Sequence, residues 1–413
     1  MTAAHRRVRL ACYASNVCMS LVANLSPLLF LTFRAQYGIS FTMLGLLIVI
    51  NYFSQLIIDL IFSFFSHKFN IAKTVKLMPW LTIAGYAVFA GGPALFPQHA
   101  YAALMAGTVL FSISAGLCEV LLSPVIAALP ADDPDREMSK LHSIYAWGTV
   151  FVVIFSTLFL MVFGTQNWQW LALVMLAVPL TAALLFAGAE IPQMSSPEKI
   201  SGVMTFLRNK GLWLCVLAIF LGGAAECTMS QWSSSYIEQA IGLPKVWGDV
   251  GGVALFAVML GTGRTLYAKR GKDISKVLLL GGIGAACCYL VAAVSDIPLI
   301  GLAACALTGL CTSMLWPGSL IVATTRFPAG GVLIYALMAA GGDLGASIGP
   351  QLVGMVTDAV ISSAGGTALA AQWGLTADQL GMKLGMLVGM VFPLVSIPVY
   401  ALIRKKESRH ECK

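Results

Sequence analysis

Apolar runs, broken by short polar stretches, follow one another along nearly the whole chain. A run of about 20 apolar residues is long enough, at about 1.5 Å per helical residue, to cross some 30 Å of hydrocarbon. A membrane barrel would instead show alternating segments of about ten residues, and the runs here are continuous. Inside lipid, backbone polar groups must be satisfied within their own segment, so the runs predict helices. They fall at 10–33, 41–65, 75–96, 101–129, 141–163, 168–188, 211–237, 247–268, 275–294, 298–324, 330–358 and 381–403. The expected fold class is therefore an all-α integral membrane protein with twelve transmembrane helices.

Composition removes the alternatives. Of 413 residues, 58% are hydrophobic and only 10% are charged, and mean hydropathy is +0.85. A soluble domain carries about 25% charge, and disordered, coiled-coil and collagen-like chains fail on the same figures. The formal charge of +7 would suit nucleic acid, but its distribution points to a bilayer. With twelve spans and an inner N-terminus, only Arg34, Lys245 and Lys383 of the 25 Lys and Arg residues fall outside. That asymmetry predicts cytoplasmic N- and C-termini and a plasma-membrane protein, of the bacterial inner-membrane kind. The basic leader precedes an apolar stretch too long for a signal-peptide core, so it reads as a retained first helix. Ten cysteines show no CxxC spacing and read as small apolar filler. Trp168 and Trp170 read as an interfacial belt.

The longest inner connection lies near the middle, which predicts a bundle of six helices over 1–188, a cytoplasmic linker over 189–210 and a second bundle over 211–413. This is the plan of a transporter built from two repeats. A weak internal match supports it: Gly116 to Pro124 aligns with Gly309 to Pro317 at an offset of 193, with five of nine residues identical.

Three acids fall near the centres of spans: Glu119, Glu226 and Asp343. Ionisable residues at that depth are costly and call for a functional explanation. No Lys or Arg is expected at their level, since Arg264 and Arg326 lie near span ends. A carboxyl that exchanges a proton when its access to water changes would suit proton coupling. The alternative is an acid that only hydrogen-bonds between helices, and for Asp343 the surrounding glycines favour packing. Polar and aromatic residues recur near these acids: Asn24, Asn51, Gln55, His142, Tyr145, Trp147, Gln231, Trp232, Tyr236 and Trp316. Amides and carboxylates satisfy hydroxyls while indole and phenol faces pack on a sugar ring, although each alone equally suits helix packing. No P-loop, dinucleotide fingerprint or metal-ligand spacing is present. The expectation is a protein that is not an enzyme, without cofactor or metal. It would act as a monomer on a small solute and on protons, in a lipid bilayer.

With these features the chain resembles the major facilitator superfamily over nearly its whole length. The signature between the second and third helices survives as Ser63 to Asn70 with Lys73, and His67 stands where an acid is usual. The second half keeps Gly263-Arg264 and Lys269-Arg270-Gly271. The resemblance implies a cytoplasmic gate at His67, Lys68, Arg264 and Arg270. Within the superfamily the chain is most similar to the fucose permease branch of sugar:proton symporters. Cys118-Glu119 with Ser123-Pro124 resembles that branch's Glu-x-x-x-Asn-Pro, which implies Glu119 as the proton site. Leu141 to Gly148 resembles its fifth helix and implies sugar contacts at His142 and Tyr145. Ala224 to Tyr236 and Ser313 to Pro317 look like its seventh and tenth helices. The branch's acid in helix one falls on Ala23, with Asn24 the nearest polar side chain. The implied function is proton-coupled symport of a monosaccharide or similar polar solute, with two bundles rocking about a central cavity. An exporter of drugs or organic cations in the same fold is the rival reading.

Overall fold

The computed structural model describes residues 3–65, 68–130, 134–192, 207–271, 273–295, 297–327 and 331–411. Much of the expected linker, and His67, lie outside them. The described residues are helical, with no strand. Among the described residues, eleven segments are long and apolar enough to cross a membrane. The third expected span is a continuous helix, Ile71–Leu95, but it is not among the eleven. Lys73 and Lys76 near its start, with Pro79 and Pro93 inside it, dilute its apolar character.

The chain divides into two compact units: Met1–Ile39 with Ile50–Glu198, and Ser40–Val49 with Lys199–Lys413. The first holds α1 (Ala3–Leu28), α2 (Phe30–Tyr37), most of α3 (Phe41–Phe65), α4 (Ile71–Leu95), α5 (Ala100–Ala127), α6 (Pro134–Phe163), α7 (Trp168–Met175) and α8 (Ala177–Ala187). The expected first span is thus two helices, interrupted at Leu29 just after Pro27. α4 and α5 meet at glycines: a Cβ on Gly85 would stand 2.6 Å from the Phe111 nitrogen. Small residues let backbones approach where lipid gives no hydrophobic drive between helices. The core of this unit gathers Val8, Cys12, Met78, Leu117, Leu121 and Phe186.

The second unit holds α9 (Lys210–Gln239), a π-helical segment Trp247–Ala254 running into α10 (Leu255–Arg270), α11 (Ile274–Val294), α12 (Pro298–Thr312), α13 (Leu315–Arg326), α14 (Gly331–Ser362), α15 (Ala364–Gln372), α16 (Ala377–Gly389) and α17 (Val391–Glu411). Its core includes Leu212, Cys215, Ile219, Leu278, Leu315 and Tyr400. The tenth expected span is broken between Thr312 and Leu315, whereas its sequence counterpart α5 runs unbroken through Pro124. The internal match therefore does not extend to local geometry. α15 lies in a stretch where no helix is expected from hydropathy. It is nine residues long, with Ser363 accepting from the Gly366 nitrogen at its start.

Candidate functional site

In the first unit, α3 carries Asn51, Gln55 and Asp59 at four-residue spacing, which puts them on one face. All three are buried. The Asn51 amide oxygen accepts from Gln55 Nε2 at 3.1 Å and from the Ser112 hydroxyl of α5 at 2.6 Å. One turn further along α5, Gly116 admits close contact: a Cβ there would stand 3.0 Å from Gln55 Cα and Ile58 Cβ. Glu119, three residues on, shares that face. It is exposed, although Cys118, Leu121 and Leu122 around it are buried. A carboxylate oxygen of Glu119 lies within 4.8 Å of one from Asp59. The polar row of α3 thus ends in two carboxyls, one enclosed and one open to its surroundings. Asp59 lies outside the set of central acids expected from sequence. Its spacing from Asn51 and Gln55 was the signal that it belongs with them.

A second polar row joins α1 to α6. Asn16 Nδ2 donates to the Leu141 carbonyl at 2.5 Å, and the Ser20 hydroxyl to the Tyr145 carbonyl at 2.8 Å. Asn24 Nδ2 donates to the Ser20 carbonyl at 2.8 Å and to the Thr149 hydroxyl at 3.3 Å. Gly148 packs on Ser20. Asn24 is therefore engaged in holding two helices together. Tyr145 is half-buried, and the side chain of His142 lies outside the described residues. Trp147 is exposed and continues a stripe with Phe151, Ile154 and Leu158. The helical phase of α6 turns that stripe away from the face on α1.

In the second unit, Glu226 of α9 meets Arg264 of α10: Nη2 lies 3.2 Å from Oε1, with the side chains 15% and 41% exposed. This overturns the expectation that no cation reaches the level of the central acids. An arginine places its charge at the end of a long apolar stem, so the depth of its Cα does not fix the depth of its head. Arg264 Nε also donates to the Ser313 carbonyl at 3.1 Å. In a helix that carbonyl would accept from residue 317, which is proline and has no N–H. The break between α12 and α13 thus frees an acceptor, and the arginine takes it. Trp316 packs over Gly223 of α9, where a Cβ would stand 2.9 Å from the ring, and over Gly342 of α14. Asp343, next to Gly342, is buried.

Two further aromatic residues of α9 are buried. Trp232 is fully buried, with its indole N–H donating to the Pro350 carbonyl at 2.8 Å. That enclosure gives its ring a packing role between α9 and α14. Tyr236 is likewise buried and donates to the Ala292 carbonyl at 2.6 Å. Gln231 is buried beside them. Lys68 lies 5.0 Å from the Phe65 ring centroid, and Arg270 is an exposed residue in the last turn of α10. Sequence reasoning also passed over Asp249. It is buried in the π-helical segment, bonded by the Ser234 hydroxyl and by Lys245 Nζ at 2.9 Å.

Several solved structures share the fold at low sequence identity. A bacterial homologue of the human lysosomal transporter Spinster, inward-facing and occupied, is 14% identical with a TM-score of 0.73, covering 98% of each chain. The fucose:proton symporter FucP of E. coli is 16% identical with a TM-score of 0.59, covering 95% of this chain and 99% of the other. A D-xylose-proton symporter is 13% identical with a TM-score of 0.70, covering 96% and 98%. No curated protein sequence matches the chain. The profile of the Major Facilitator Superfamily matches residues 12–350, so this multi-pass membrane protein belongs to that superfamily and is a transporter rather than an enzyme.

Proposed function

We propose that this transporter couples the movement of a monosaccharide or similar polar solute to protons, in the symport direction. The observation that carries the reading is the carboxyl pair of Asp59 and Glu119, with Glu119 open to its surroundings inside an otherwise buried stretch of α5. An open carboxyl can load and release a proton, and an enclosed neighbour within 4.8 Å makes its charge state sensitive to local water. The amides of Asn51 and Gln55, on the same face of α3 as Asp59, supply hydrogen-bonding chemistry of the type hydroxylated solutes need. Similarity to sugar:proton symporters supports the solute class. The inner membrane, with both termini in the cytoplasm, is the setting that the charge asymmetry favours.

The test is uptake into proteoliposomes with an imposed pH gradient, over a panel of labelled monosaccharides, with a sodium gradient in parallel. Accumulation should follow the proton gradient and collapse with a protonophore. Glu119→Gln should abolish accumulation while leaving solute exchange intact. Full accumulation in that variant would remove Glu119 from the mechanism. Efflux of a cationic dye with no sugar uptake would favour an exporter.

A further inference from the structure

Two cysteines of the second unit face each other across α11 and α12. The Cys288 and Cys311 side chains are close neighbours, and both are free. Their approach has a backbone cause. Gly284 lies one turn before Cys288 on α11, and a Cβ there would stand 2.7 Å from Cys311 Sγ. A Cβ on Gly281 would press on the Cys311 carbonyl at 2.5 Å. The two glycines clear a groove in α11 into which the Cys311 end of α12 settles. Neither residue is fully buried. The groove borders an exposed apolar stripe of α11, with Leu280, Ile283, Leu290 and Val294, and Leu307 of α12. In a multi-pass membrane protein lipid is the solvent for such a stripe.

We propose that Cys288 and Cys311 form a redox-active dithiol that a membrane-dissolved alkyl hydroperoxide closes to a disulfide. One thiol attacks the peroxide. Its sulfur becomes a sulfenic acid, and the peroxide leaves as the alcohol. The second thiol then attacks the sulfenic sulfur, the S–S bond forms, and water carries away the hydroxyl with the displaced proton. A reducing dithiol returns the pair to its free form. Closure staples α11 to α12 two residues before Ser313, whose carbonyl anchors Arg264.

The test is made on the wild-type protein in proteoliposomes treated with cumene hydroperoxide. After denaturation, the thiols are blocked with a maleimide and counted by intact mass. The chain has ten cysteines, so untreated protein should carry ten adducts. Treated protein should carry two fewer, and reduction before blocking should restore them. Peptide mapping should find Cys288 linked to Cys311. Cys288→Ser and Cys311→Ser should each lose the linked peptide, while Cys287→Ser should keep it. An unchanged adduct count, a loss that reduction does not reverse, or a linked pair without Cys288 and Cys311 would overturn the proposal. Because the first measurement needs no substitution, misfolded variants cannot obscure the result.

Discussion

Removing the guanidinium of Arg264 should cost more than removing the charge of its partner. Two unit charges 3.2 Å apart attract by on the order of 5 kcal/mol at an effective dielectric constant of about 20. Most of that is offset by lost hydration and by screening, because Arg264 is 41% exposed. Breaking a fully buried pair costs about 3–5 kcal/mol, and a surface pair is worth about 0–1 kcal/mol. This half-open pair belongs between them, at about 2 kcal/mol. The two sides are unequal: Arg264→Gln strands a carboxylate that is only 15% exposed, whereas Glu226→Gln strands a cation that is 41% exposed and keeps its bond to the Ser313 carbonyl. The first should therefore lower stability by about 2 kcal/mol, and the second by under about 1 kcal/mol. For a folding unit of this size the first corresponds to a Tm lowered by roughly 4–8 °C. The assay is thermal unfolding of the detergent-purified protein, as a double-mutant cycle. The double variant should be more stable than the sum of the two singles predicts, by at least about 1 kcal/mol. Additivity within about 0.5 kcal/mol would mean that the two groups are not coupled and that the pair contributes nothing.

Gly85→Ala places a methyl 2.6 Å from the Phe111 backbone nitrogen. Neither α4 nor α5 can yield there without separating, so a loss of about 1–3 kcal/mol in thermal or denaturant unfolding is expected. Trp232→Phe removes the bond to the Pro350 carbonyl and some core volume. It should lower stability by about 1–3 kcal/mol yet leave KM for the transported solute unchanged, and a raised KM would instead place Trp232 at the solute site. Glu137 gives a pH test, because its bonds to Lys140 and Tyr13, together with the charge of Arg9, hold its carboxyl below the usual value of 4.5. A depressed pKa contributes stability that is present above the unfolded value and is lost as pH falls through the folded one. The Tm advantage of wild type over Glu137→Gln should thus be full at pH 6 and shrink steadily below about pH 4.5. A constant difference across that range would place the effect elsewhere.

The apolar runs by themselves determined that the chain is helical and membrane-spanning, because backbone hydrogen bonds have no other partner in hydrocarbon. The four-residue spacing of Asn51, Gln55 and Asp59 was legible too, since a helix repeats its face at that interval whatever surrounds it. The motif around Glu119 was similarly local. What local pattern does not contain is the neighbour opposite each face. Trp232 and Trp316 carry the same ring chemistry in sequence, yet one is enclosed with its N–H on Pro350 and the other lies over glycines at Gly223 and Gly342. The pairing of Glu226 with Arg264 depends on how far a side chain reaches between helices, and on the acceptor that Pro317 leaves at Ser313. Only tertiary packing decides such contacts, because residues distant in the chain are brought together by the helices' mutual fit rather than by any one helix's sequence.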